Sequence, residues 1–133
     1  MAPDLDDALD DDVLAFAHQM FDLAREGDAA ALAANLDAGL PPNLTNHTGD
    51  SLLMLAAYHN HPATVRALLE RGADTARIND RGQTALGAAV FRQSAQTVGL
   101  LLDAGADPAL GSPSALDVAR FFELPEMLAQ LCA

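Results

Sequence analysis

The chain has 133 residues, 50% apolar and 20% charged, the make-up of one globular domain that can bury a core without disulfides or metal. Seven arginines and no lysine stand against 19 carboxylates; the net charge of −12 argues against binding nucleic-acid phosphates or an anionic membrane surface. The single cysteine, Cys132, excludes a disulfide framework and a cysteine-rich zinc site, and no apolar run approaches the ~18 residues of a spanning helix.

Residues 1–12 form an acidic N-terminal arm carrying Asp4, Asp6, Asp7, Asp10, Asp11 and Asp12. The opening Met-Ala-Pro-Asp-Leu-Asp-Asp lacks the basic start of a secretory signal, so a cytoplasmic location is expected. Two readings of the arm stay open. Its carboxylates are solvated charge near the positive end of a helix dipole, which is the simpler reading, or they engage a basic partner. A calcium loop does not fit, since no glycine and no closing glutamate fall at the required spacing. An amphipathic helix is predicted over about 13–25, with Phe16, Met20, Leu23 and Ala24 facing inward.

Beyond this helix the chain repeats itself. Gly49, Ser51, Leu53, Ala56-Ala57, Val65, Leu68-Leu69 and Gly72-Ala73-Asp74 recur as Gly82, Thr84, Leu86, Ala89-Val90, Val98, Leu101-Leu102 and Gly105-Ala106-Asp107, always 33 residues later. Asn46 and Asn79 match at the same step. So do Ala24 with Ala57, Leu36 with Leu69 and Gly39 with Gly72. Ser114-Ala115-Leu116 and Ala119 match Thr84-Ala85-Leu86 and Ala89 at 30, so the last copy has lost three loop residues.

Each copy follows one local logic. A glycine turn (Asn79-Asp80-Arg81-Gly82) leads to an N-capping Thr84 and a short helix of small residues, Ala85, Ala88 and Ala89. After a tight turn at Gln93-Ser94, a second helix carries Val98, Leu101 and Leu102 on one stripe. It stops at Gly105, and Pro108 forbids its continuation. In the preceding copy the corresponding pieces are Ser51 to His59 and Ala63 to Arg71. In the last copy Phe121, Phe122, Leu124, Met127, Leu128 and Leu131 supply the apolar residues, with one of the two phenylalanines expected inside, and Pro125 opens the second helix. Such short helices are marginal alone, so the core must come from stacking copy on copy.

On these residues the chain resembles the ankyrin repeat family, closely over 47–110 and more loosely over the flanks. The resemblance implies an all-α solenoid of helix–turn–helix units over 13–133. It has about four repeats (13–45, 46–78, 79–111 and 112–133), the outer two degenerate caps with a polar outer face. The family's T-P-L-H is Ser51-Leu52-Leu53-Met54 and then Thr84-Ala85-Leu86-Gly87, without its histidine in either copy. The Gly-His between helices is Asn60-His61 and then Gln93-Ser94. Asparagine enters the left-handed region readily, glutamine less so.

No motif for catalysis is present: no nucleophile elbow, no phosphate loop, no H-E-x-x-H. His59 and His61, two apart, do not share a helix face, and the four histidines do not form a zinc set. No cofactor, metal or catalytic residue is expected. Cys132 has no partner cysteine and no basic neighbour to make it reactive.

The resemblance implies a concave groove lined by the turn tips and the ends of the first helices. The tips are His47, Thr48 and Asp50, then Asp80, Arg81 and Gln83. The last position of the first helix reads Arg25, Tyr58, Phe91 and Phe121 down the repeats; the next reads Glu26, His59, Arg92 and Phe122. In a chain with 5% aromatics, Tyr58, Phe91 and Phe121 in one column, about 10 Å apart, would make a ribbon of anchors. Arg81 and Arg92 are expected to hold an acidic group of the partner or to pair with Asp80 or Asp50. The expected function is a non-catalytic interaction module, adaptor or inhibitor, holding a protein partner through Tyr58, Phe91, Arg92 and the tips. The overall acidity favours a partner with a basic patch. An inhibitor acting through the acidic arm, an aromatic-mediated homodimer in place of a monomer, and a small enzyme or ligand carrier are the alternatives.

Overall fold

A computed structural model describes residues 11–133. Four helix–turn–helix pairs follow one another: α1 (Asp11–Glu26) and α2 (Ala29–Asp37), α3 (Leu52–Tyr58) and α4 (Pro62–Glu70), α5 (Ala85–Phe91) and α6 (Ala95–Asp103), α7 (Ala115–Phe121) and α8 (Pro125–Leu131). Odd-numbered helices pack side by side in one layer and even-numbered helices in a second, each pair touching its neighbours. Among the described residues there is no strand; the long turns carry isolated bridges at Thr45–Ser51 and Gly111–Ser114. The stretch with Asp4, Asp6, Asp7 and Asp10 lies outside the described residues, whereas Asp11 and Asp12 occupy the first turn of α1, as the helix dipole favours.

The repeat step reappears as burial. Leu53 and Leu86, Val65 and Val98, Leu68 and Leu101 are all buried in equivalent places. Ala24, Ala56, Ala57, Ala89 and Ala119 are buried too, and their small side chains let the odd helices lie close together. Ser51, Thr84 and Ser114 cap α3, α5 and α7, accepting from the amides of Met54 (3.1 Å), Gly87 (3.0 Å) and Asp117 (3.1 Å). At α7 the Asp117 carboxylate accepts the Ser114 amide in return, closing a capping box. Hydrogen bonds from Ser114 hold that carboxyl below its ordinary pKa.

Between the helices of each pair one residue enters the left-handed region: Gly27 at φ 80°, Asn60 at 62°, Gln93 at 57° and Glu123 at 53°. The surrounding backbone imposes it. The following amides of His61, Ser94 and Leu124 bond back to Ala56, Ala89 and Ala119 at 2.8–3.1 Å, so Gln93 and Glu123 adopt the turn that asparagine adopts more cheaply.

Two expectations about burial fail. Phe16 is 43% exposed, and Phe21 takes the core place instead. By the repeat step Gln19 is the equivalent of Leu52, so Phe16 lies on the part of α1 that extends past the start of α3. At the other end neither Phe121 nor Phe122 turns inward; Ala115, Ala119, Met127 and Leu131 fill the core of the last pair.

The step from Ser94 to its equivalent His61 also changes a buried hydroxyl. Ser94 Oγ accepts the Thr97 amide (3.2 Å) and donates to Thr97 Oγ1 (2.9 Å). The His61 ring instead reaches back to the Arg25 carbonyl, with Nε2 donating at 2.7 Å. It fills the space beside Gly27, where a Cβ would collide with it. Thr64 Oγ1 is left buried without a partner among the described residues. In urea denaturation, Thr64→Val should therefore raise stability by about 1 kcal/mol while Thr97→Val lowers it by a similar amount. Gln93→Gly should add about 0.5–1 kcal/mol by relieving the left-handed backbone.

Candidate functional site

The turn tips are one loop built twice. Asn46 Oδ1 accepts the amides of Thr48 (3.1 Å) and Asp50 (2.9 Å); Asn79 Oδ1 accepts those of Arg81 (3.0 Å) and Gln83 (2.9 Å). The two tips are clipped together by the Asp80 amide to the Thr48 carbonyl (3.1 Å) and Asn79 Nδ2 to Asp50 Oδ1 (2.8 Å). The Thr48 hydroxyl meets the other Asp50 oxygen at 2.9 Å, and Gln83 Oε1 accepts from Asn79 Nδ2. Thr48, Asp50 and Gln83 thus hold the wall in shape.

Behind this wall lies a hollow of about 600 Å³. Met54, Leu55, Gly87 and Ala88 line it from the odd helices, and Tyr58 and Phe91 from the C-terminal ends of α3 and α5. Gly87 stands where the previous repeat has Met54. A glycine inside a helix costs up to about 1 kcal/mol, and here it leaves one place in the lining without a side chain.

The rings form a continuous row. Tyr58 and Phe91 stack with planes 3° apart and centroids at 6.2 Å. Phe122 meets Phe91 edge-on at 5.5 Å, Phe121 meets Phe122 at 4.9 Å, and His59 meets Tyr58 at 5.2 Å. Such offset and T-shaped pairs suit the aromatic quadrupole. The expected third anchor is displaced by one residue. Phe122 occupies the slot that holds polar His59 and Arg92 in earlier repeats, and its ring takes the contact with Phe91. Phe121 is left 80% exposed. The ring centroids along the row, 6.2 and 5.5 Å apart, also lie closer than the expected repeat spacing of about 10 Å.

Of the residues proposed from sequence, Tyr58, His59, Phe91, Thr48, Asp50, Arg81 and Gln83 line the hollow, while His47, Asp80, Arg92 and Phe121 do not. Asp80 packs against Gly49 at the tip. Arg25, Met54, Val118 and Phe122 line it as well, outside the residues proposed from sequence. Arg25 and Phe122 stand in the very columns that the repeat step defines, so the signal for them was present.

The charge of the hollow differs from that of the chain. Arg25 pairs with Asp22 at 2.9 Å, but Arg81 and Arg92 form no ion pair among the described residues, so the expected pairing with Asp80 or Asp50 is not made. Elsewhere Arg71 is held by Asp37 (2.9 Å) and Glu70, and Arg77 by Asp74. Burial lowers the His59 pKa from its ordinary 6.5, and the charges of His61, Arg25 and Arg92 lower it further. The described residues contain no cluster of His, Cys, Asp or Glu able to hold a metal ion, and no helix among them is long and apolar enough to cross a membrane.

Stacked helical pairs with a ringed hollow along one side define a repeat-type solenoid scaffold. Residues 20–111 match the family profile of ankyrin repeats, in three copies, and the chain belongs to the ankyrin repeat family. A Pseudomonas aeruginosa protein named for its ankyrin repeats is 60% identical over 58 residues, 44% of this chain and 34% of that protein. The crystal structure of the human ASB11 ankyrin repeat domain is similar with a TM-score of 0.77 and 30% identity, over 85% of this chain and 52% of that one. The chain thus spans about a third to a half of the lengths of these relatives. Ankyrin repeats are in general protein–protein interaction modules.

The lowered His59 pKa has a measurable consequence. Below pH 6.5 the unfolded chain holds more protons at this site than the folded one, so stability falls as pH drops through 6.5 towards the folded value. His59→Gln should flatten this decline relative to wild type in denaturation series run between about pH 7.5 and pH 5.

Proposed function

We propose that the chain is a non-catalytic binding module of the cytoplasm that holds one protein partner in the hollow between the tips and the odd helices. The observation that carries this reading is the row of half-exposed rings, Tyr58, Phe91 and Phe122, with Tyr58 stacked on Phe91 and Phe122 edge-on to it. Contiguous exposed aromatics of this kind mark interfaces, and aromatics with arginine dominate binding hot spots. The tips are already clipped together, so little ordering entropy is lost when a partner docks, which suits an adaptor or inhibitor. The net charge of −12 favours encounter with a partner whose surface carries a basic patch, because opposite fields speed association.

The test is to isolate the partner from the native lysate and titrate it against Tyr58→Ala/Phe91→Ala. Affinity should fall at least tenfold, with helicity by circular dichroism unchanged. Undiminished affinity in a folded double variant rejects the groove.

A further inference from the structure

We infer that the segment entering the hollow is an acidic peptide: it lays an apolar side chain on the Tyr58–Phe91–Phe122 row and sets Asp or Glu carboxylates against Arg81 on the tip side and Arg92 on the helix side, beside the Arg25–Asp22 pair. This rests on the groove reading and adds the chemistry of what docks there. Arginines are scarce in the chain, seven against 19 acids, yet three of them stand at the hollow or its edge. The lone acid in the lining, Asp50, meets Asn79 Nδ2 and the Thr48 hydroxyl and makes no ion pair with these arginines. Arg81 and Arg92 form no ion pair among the described residues, as Arg66 and Arg120 away from the hollow also do not, whereas Arg25, Arg71 and Arg77 do. The same corner makes protonation of His59 unfavourable, through burial first and then the charges of His61, Arg25 and Arg92.

A planar guanidinium beside an aromatic face suits a carboxylate whose neighbouring residue is apolar, because it forks onto two oxygens and shields the ring at once. A basic segment would place like charges against these arginines and leave them without partners. The basic patch expected from the overall acidity is then a property of the partner's surface around the docked segment, which meets the acidic residues outside the hollow.

A random twelve-residue peptide library displayed on phage, selected on the full chain at about 0.15 M salt, tests this. Enriched peptides should carry Asp or Glu within two residues of Phe, Tyr, Trp or Leu. On Arg81→Glu/Arg92→Glu the selection should turn to Lys and Arg. Synthetic copies of the enriched peptides should bind Arg81→Gln/Arg92→Gln at least tenfold more weakly by fluorescence anisotropy, and Arg66→Gln, on the far side, equally well. Neutral or basic winners on wild type, or the same winners on the charge-reversed variant, overturn the acidic-peptide assignment. They leave the groove reading standing as long as Tyr58→Ala/Phe91→Ala abolishes selection. Selection that survives that aromatic double variant overturns both. No enrichment on wild type overturns the assignment.

Discussion

Helices of seven to nine residues do not persist in water by themselves, and seven of the eight described here fall in that range. Everything else follows from how they are held. Each short helix lies against its counterpart 33 residues away, or 30 at the last step, and alanines at Ala24, Ala57, Ala89 and Ala119 remove the bulk that would keep the backbones apart. Buried Leu and Val from both layers then close over the seam. Stability is a sum over neighbours, so a change in one repeat is felt mainly by that repeat and those beside it.

The same constraint makes a surface out of single residues. α3, α5 and α7 begin on equivalent buried caps and run for seven residues, so they end level with one another. Whatever stands at the end, or just past it, is brought beside its counterpart in the next repeat. Tyr58, Phe91 and Phe122 are far apart along the chain and join into one row for this reason. The tips line up likewise, and their hydrogen bonds from Asp80 and Asn79 to the preceding loop turn two flexible turns into a wall. Function in such a scaffold resides in residues that the fold does not need, held rigidly by residues that it does.

Charge is organised locally against the average. The chain is strongly acidic, but the hollow gathers arginines around rings and keeps its one lining acid occupied with hydrogen bonds. Net charge describes the field at a distance; contact is decided by the few groups left without partners at the surface.

The solenoid was legible in the residues because a repeated backbone repeats its demands. Leucine at the core positions, glycine at the stops of α4 and α6, serine or threonine at the caps and small residues at the crossings all recur at one step, and each has a local physical reason. The columns of the groove were legible for the same cause, down to the place of Tyr58 and Phe91. Local patterns could not say which of two adjacent phenylalanines would lie on Phe91. Nor could they say that Phe16 would stay exposed while Phe21 took the core place, or that Gln93 would accept the left-handed turn. These outcomes depend on where neighbouring repeats stand in space. The sequence by itself determined the period, the helices and their inward faces; only the tertiary structure decided which side chains meet across repeats and which arginines stay unpaired, because those contacts join residues some thirty or more positions apart.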